Sequence, residues 1–132
     1  MSSKNVHIVQ EIYAAFGRGD IPAVLEAMAP DVEFTFPDSA VIPYAGARRG
    51  PDGIAQFLLA LDESVDIAEF VPVQFIALGD DGVALGHERV TAKSTGRVFQ
   101  ANWAMVWSVR DGKVARIREY TDTDAIAGAF RP

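Results

Sequence analysis

The second half of the chain places the tightest limit on the fold. From Val65 onward, three turn signals, Gly79-Asp80-Asp81-Gly82, Ser94-Thr95-Gly96-Arg97 and Arg110-Asp111-Gly112-Lys113, separate runs rich in β-branched and aromatic residues. The runs span Ile67–Leu78, Val83–Lys93, Arg97–Val109 and Val114–Thr121. Turns this short join antiparallel neighbours, so four consecutive strands form a meander. Strands of such length must curl.

The first half reads as helices. Val9, Ile12, Tyr13 and Phe16 recur at i, i+3, i+4 and i+7, and Gly17-Arg18-Gly19 stops that stripe. Asp20 is placed to cap a second helix with Pro22 in its first turn and Ile21, Val24, Leu25 and Met28 on its buried side; Pro30 ends it. A third helix opens near Pro51-Asp52 and carries Ile54, Phe57, Leu58 and Leu61. Between the second and third helices, Val32 to Pro37 predicts a short strand, and Asp38 to Gly50, lacking any period, predicts a loop. Asp122-Thr123-Asp124 predicts the cap of a short C-terminal helix. Helices first and a meander second make an α+β domain over residues 1–132, with three N-terminal helices packed on one face of a curved antiparallel sheet. The sheet and helices enclose a cone whose mouth suits a small molecule. Phe75, Val106 and their neighbours are too apolar for a bare outer face, which predicts a homodimer through that face.

Composition closes off other classes. Twelve basic against eighteen acidic residues give a net charge of −6, so no cationic surface is available for nucleic acid. There is no cysteine, and His7 and His87 are the only histidines, which argues against a metal centre. No apolar run approaches the ~18 residues of a membrane span, and Met1–His7 is polar, so the expectation is a cytoplasmic protein. No Gly-x-Ser-x-Gly elbow, phosphate-cradling Gly-rich segment or His-Glu-x-x-His is present, and no cofactor is expected.

Alternation of side chains assigns faces to the last strands. Trp103, Met105 and Trp107 share one side of their strand; Ile117 and Glu119 share one side of the next. If the large aromatic set faces the helices, Glu119 looks into an apolar cavity, where desolvation raises its pKa toward the range a general acid or base needs. The alternative is a Glu119 paired with Arg116 or Arg118 at a wet sheet end. Glu88, on a face with Ala84, Gly86 and Val90, either adds a second cavity carboxylate or pairs with Arg89 or Lys93 at a rim. His87 points the other way, His7 is solvated, and Asp122 is simplest as an N-cap. Arg48-Arg49 lies in the loop over the expected opening, where it either binds an anionic group or stays solvated.

The order of helix, Gly-Arg-Gly-Asp turn, helix, strand ending at Pro37, loop, helix and meander, closing on Asp111-Gly112-Lys113-Val114 and Arg118-Glu119-Tyr120-Thr121-Asp122, resembles the nuclear-transport-factor-two-like fold. Within it the chain is most similar to the SnoaL-like polyketide cyclases and their relatives, the ketosteroid isomerases and limonene-epoxide hydrolases. The resemblance puts the cyclases' general-base position on Glu119 and a second epoxide-hydrolase carboxylate on Glu88. It also shows departures: Phe36 and Ile12 stand where the isomerases carry a carboxylate and a tyrosine, Gly86 where the epoxide hydrolases carry an arginine, and Met105 where the cyclases carry a histidine. The resulting expectation is a cofactor-independent lyase, isomerase or cyclase acting on an apolar cyclic molecule, with Glu119 as general base, Glu88 as the second acid/base group, and Trp103, Met105, Trp107, Tyr13 and Phe34 shaping the pocket. Epoxide hydrolysis fits less well, and a non-catalytic pocket or dimerisation module of the same fold is the competing expectation.

Overall fold

The computed structural model describes residues 2–132. Helix α1, Ser3–Gly17, starts where Ser2 accepts a hydrogen bond from the Asn5 N–H, and it buries Val9, Ile12 and Ala15. Helix α2, Ile21–Glu26, is capped by Asp20, whose carboxylate accepts from the Ala23 N–H at 3.2 Å. The chain then passes into β1, Met28–Phe36, so Pro30 lies within a strand. It falls in the irregular stretch between Met28 and Glu33 where pairing shifts register, a place that tolerates a missing N–H. The segment expected to be loop contains a further short strand, β2, Gly46–Arg49, paired antiparallel with β1. Helix α3, Gly50–Ser64, follows, then β3, Val65–Leu78; β4, Asp81–Ala92; β5, Val98–Arg110; β6, Lys113–Thr121; and the last helix α4, Thr123–Phe130. Asp122 caps α4 through the Ala125 N–H at 3.0 Å, as its sequence context predicts.

The four meander strands pair antiparallel in succession, and one turn between them shows why it is tight. Asp111 and Gly112 both hold positive φ, 52° and 77°, as a two-residue hairpin with the strands' own twist requires. The full sheet has six strands in the order β2-β1-β6-β5-β4-β3, and β1 runs parallel to β6, with Phe34 beside Ile117. That non-local pair makes the sheet mixed and extends it beyond the meander.

The sheet is curved and unclosed, with α1 and α3 packed on its inner face. The inner residues of β4, β5 and β6, among them Ala84, Val90, Trp103, Trp107, Val114 and Ile117, are buried. Strand β3 departs from simple alternation. Its pairing with β4 shifts register between Ile67 and Glu69 and again between Pro72 and Gln74, and each inserted residue reverses the facing of the residues beyond it. Beyond both shifts the two reversals cancel, so Phe75, expected on the outer face, faces inward as Val65 does at the strand's start and packs edge-on against Tyr13 at 6.0 Å. Val106 does lie outside, with Val71, Val83 and Leu85 half-buried beside it and Ile76 and Tyr120 exposed. No helix among the described residues is long and apolar enough to cross a membrane.

Candidate active site

Between α1, α3 and the concave sheet lies a cavity of about 90 Å³. Ile12, Tyr13 and Phe16 of α1 and Ile54, Phe57, Leu58 and Leu61 of α3 form its helical side. Phe34, Phe36, Val90, Phe99, Met105, Trp107 and Ile117 form its sheet side. It leads to a groove of about 460 Å³ between the α1–α2 turn, the end of α3 and the start of β3, with Tyr13, Phe16, Leu58, Leu61 and Phe70 common to both. A cavity of ~150 Å³ accommodates benzene, so at about 90 Å³ even a single ring must extend into the groove.

Two carboxylates break this apolar lining, Glu88 from β4 and Glu119 from β6. Glu119 is 7% exposed and is the one buried charged residue among the described residues. Neither carboxylate has an ion-pair or hydrogen-bond partner among them, so the expected alternatives, Arg116 or Arg118 for Glu119 and Arg89 or Lys93 for Glu88, do not apply. Arg89 and Lys93 instead approach Glu69 and Asp66. Burial pushes the Glu88 carboxyl up to about 7. Burial first, and the Glu88 charge second, push Glu119 up to about 8. The register sets their spacing: Glu88 lies opposite Ala101 and Glu119 opposite Met105, on the two strands flanking β5. On a flat sheet their Cα atoms would be ~16 Å apart; on the curved sheet both side chains line one cavity.

A third polar group comes from the segment before β2. Tyr44 is 3% exposed, lines the cavity, and has no hydrogen-bond partner for its hydroxyl among the described residues. Burial, then the charges of Glu88 and Glu119, hold that phenol well above its ordinary pKa, so it stays protonated. Sequence reasoning passes over Tyr44 because its segment has no period; an aromatic residue beside Pro43 in a long connection is the available signal.

The model of the SnoaL-like domain matches residues 9–117. The chain belongs to the SnoaL-like family. Among solved structures, this SnoaL-like chain is similar to an NTF2-like protein from Burkholderia xenovorans LB400, with 37% identity, 99% and 98% of the two chains covered, and a TM-score of 0.90. An NTF2-like protein from Burkholderia pseudomallei K96243 is 34% identical over 99% of this chain and all of its own, with a TM-score of 0.88. TerC, co-crystallised with polyporic acid, is 30% identical over 97% and 98% of the chains, with a TM-score of 0.87.

The remaining candidates of the SnoaL-like chain divide by position. Tyr13, Phe34, Met105 and Trp107 are on the cavity wall. The Tyr13 hydroxyl accepts from Trp107 Nε1 at 3.0 Å and donates to Met105 Sδ at 2.9 Å, so it is spent on packing and has no hydrogen to offer a ligand. Trp103 is not on that wall. Gly86 lies opposite it on β4, and without a side chain there the indole lies down on the strand, where Phe70 stacks on it at 4.7 Å and Tyr13 at 5.6 Å. The indole thus lies over Gly86, the position where the epoxide hydrolases carry an arginine. Arg48 is 5.9 Å from the Phe57 ring and Arg49 pairs with Glu33, both off the cavity wall. His87 and His7 are exposed. Among the described residues, no three histidine, aspartate or glutamate side chains gather as metal ligands.

Proposed function

We propose that this SnoaL-like chain is a cofactor-independent enzyme of lyase, isomerase or cyclase type that moves a proton on an apolar, ring-bearing molecule. The observation that carries the reading is the pair of unpartnered carboxyls in one apolar cavity, both raised to near neutrality. Likeness to TerC, a chain co-crystallised with polyporic acid, supports a small organic occupant. The more enclosed Glu119 keeps its proton longer, so near neutral pH Glu88 is the base and Glu119 the acid, the reverse of the roles expected from the sequence.

Activity needs one proton on the pair. As pH rises, Glu88 loses its proton first, at about 7, and Glu119 loses its own at about 8. A bell-shaped profile of kcat/KM with its maximum between those values is therefore expected, its limbs belonging to the pair. The reading itself is tested with 2-tetralone in heavy water, tracking deuterium entry beside the carbonyl by mass spectrometry. Exchange faster than the buffer rate, lost in Glu88→Gln, supports proton transfer. Binding with no exchange leaves a ligand-binding module.

We also propose that a second copy covers the outer sheet face. Its half-buried Val71, Val83, Leu85 and Val106 form an apolar patch, and Arg118 Nε is buried beside Val106 without an acceptor among the described residues. Sedimentation should give twice the 14.3 kDa chain mass, and Val106→Glu should give the single chain.

A further inference from the structure

We infer that the Tyr44 hydroxyl is a free hydrogen-bond donor of the cavity and selects occupants that carry an uncharged acceptor oxygen, a ring carbonyl above all. This rests on the proton-transfer reading of the same cavity only for its catalytic consequence; the binding consequence stands apart from it.

The two tyrosines facing the cavity are used differently. Tyr13 both accepts and donates within the protein, whereas the Tyr44 hydroxyl does neither. The Tyr44 ring is nonetheless fixed, with Phe36 at 5.3 Å, Phe57 at 6.1 Å and Phe130 at 6.0 Å, all edge-on. Held this way, the ring is fixed on the cavity wall, and its hydroxyl, which no group among the described residues engages, is accessible to an occupant. The other two polar side chains on the wall are carboxyls: protonated, Glu119 also carries a donor hydrogen, and once ionised both can only accept. With Glu88 ionised, an occupant must present a hydrogen to Glu88 and an acceptor oxygen to Tyr44 and to the Glu119 carboxyl proton. A ketone with an adjacent C–H meets both demands. Glu88 takes the hydrogen as a proton, the C–H electron pair becomes a carbon–carbon double bond, and the carbonyl π pair moves onto oxygen, where the Tyr44 O–H and the Glu119 carboxyl proton meet the growing charge. Return of a proton to carbon completes the exchange without any oxidant or reductant.

The test compares 2-tetralone with tetralin, the same ring frame without the oxygen, by calorimetry at pH 9, where Glu119 too is ionised and Tyr44 is left as the donor, in the wild type and in Tyr44→Phe. The wild type should bind the ketone about tenfold more tightly than the hydrocarbon, and the ratio should fall toward one in the variant. The carbonyl stretch of bound 2-tetralone should lie at lower wavenumber in the wild type than in Tyr44→Phe. Melting should be unchanged or raised in the variant, since no internal hydrogen bond is lost. An equal ratio in both proteins, an unshifted stretch, or binding of neither compound overturns the inference. A Tyr44-dependent ratio without hydrogen exchange upholds the inference while removing the proton-transfer reading; exchange with a ratio indifferent to Tyr44 does the opposite.

Discussion

Replacing Glu119 with glutamine should lower the rate of hydrogen exchange about 10²–10⁴-fold while leaving the affinity for 2-tetralone within a few-fold of the wild type. Glutamine fills the same space and retains one acceptor and two donor hydrogens, so the cavity keeps its shape and loses only the transferable proton. The same variant should also behave differently in stability. In the unfolded chain a glutamate ionises near its ordinary value of 4.5, whereas Glu119 in the fold holds its proton to about 8. Between these values the native state binds more protons than the unfolded state, so wild-type stability falls as pH rises through that window and levels off above it. Glu119→Gln removes that contribution. Its gain over the wild type should grow from little at pH 5 to on the order of 3–5 kcal/mol at pH 9, read from denaturant unfolding at the two pH values. Unchanged exchange in the variant would remove Glu119 from the chemistry. A pH-independent stability difference would mean that its carboxyl is hydrated after all.

The parts of this architecture that depend on local chemistry can be read from the residues. Asp20 and Asp122 announce their helices because a carboxylate at that position meets a free N–H, and Asp111-Gly112 announces its hairpin because both residues tolerate positive φ. Glu119 can be assigned a face because β5 and β6 keep their alternation from Trp103 to Trp107 and from Ile117 to Thr121. Phe70 and Phe75 cannot both be placed this way, because they have opposite parity and face the same side only through the register shift between Pro72 and Gln74, which no local residue pattern marks. The pairing of Phe34 with Ile117 is likewise long-range, so the parallel edge of the sheet is invisible to periodicity. The candidate site divides along the same line. Its carboxylates sit on regular strands, where alternation reveals them. Tyr44 is positioned by three rings from β1, α3 and α4, and no arrangement within its own segment predicts where it points.

Adding a single methyl group at position 86 should be among the most destabilising small changes in the chain. A Cβ built on Gly86 would lie 2.6 Å from Trp103 Cε2 and in still closer conflict with Trp103 Cζ2 and the Val71 carbonyl oxygen. The indole is held by Phe70 on β3 and Tyr13 on α1, and the carbonyl belongs to the neighbouring strand, so neither can give way without moving an element. Gly86→Ala should therefore cost about 3 kcal/mol or more, at the upper end of what overpacking usually costs, and lower the melting temperature by about 10 °C. Part of the cost can be isolated. In a Trp103→Leu background the indole conflict is gone and only the Val71 carbonyl remains, so Gly86→Ala should cost about 1–2 kcal/mol less there than in the wild type. The same geometry bears on activity. Tyr13 leans on the indole and is tied through its hydroxyl to Trp107 and Met105 on the cavity wall, so displacing Trp103 should also distort the pocket and weaken binding of 2-tetralone. If Gly86→Ala melts with the wild type and binds equally well, the indole does not lie against β4.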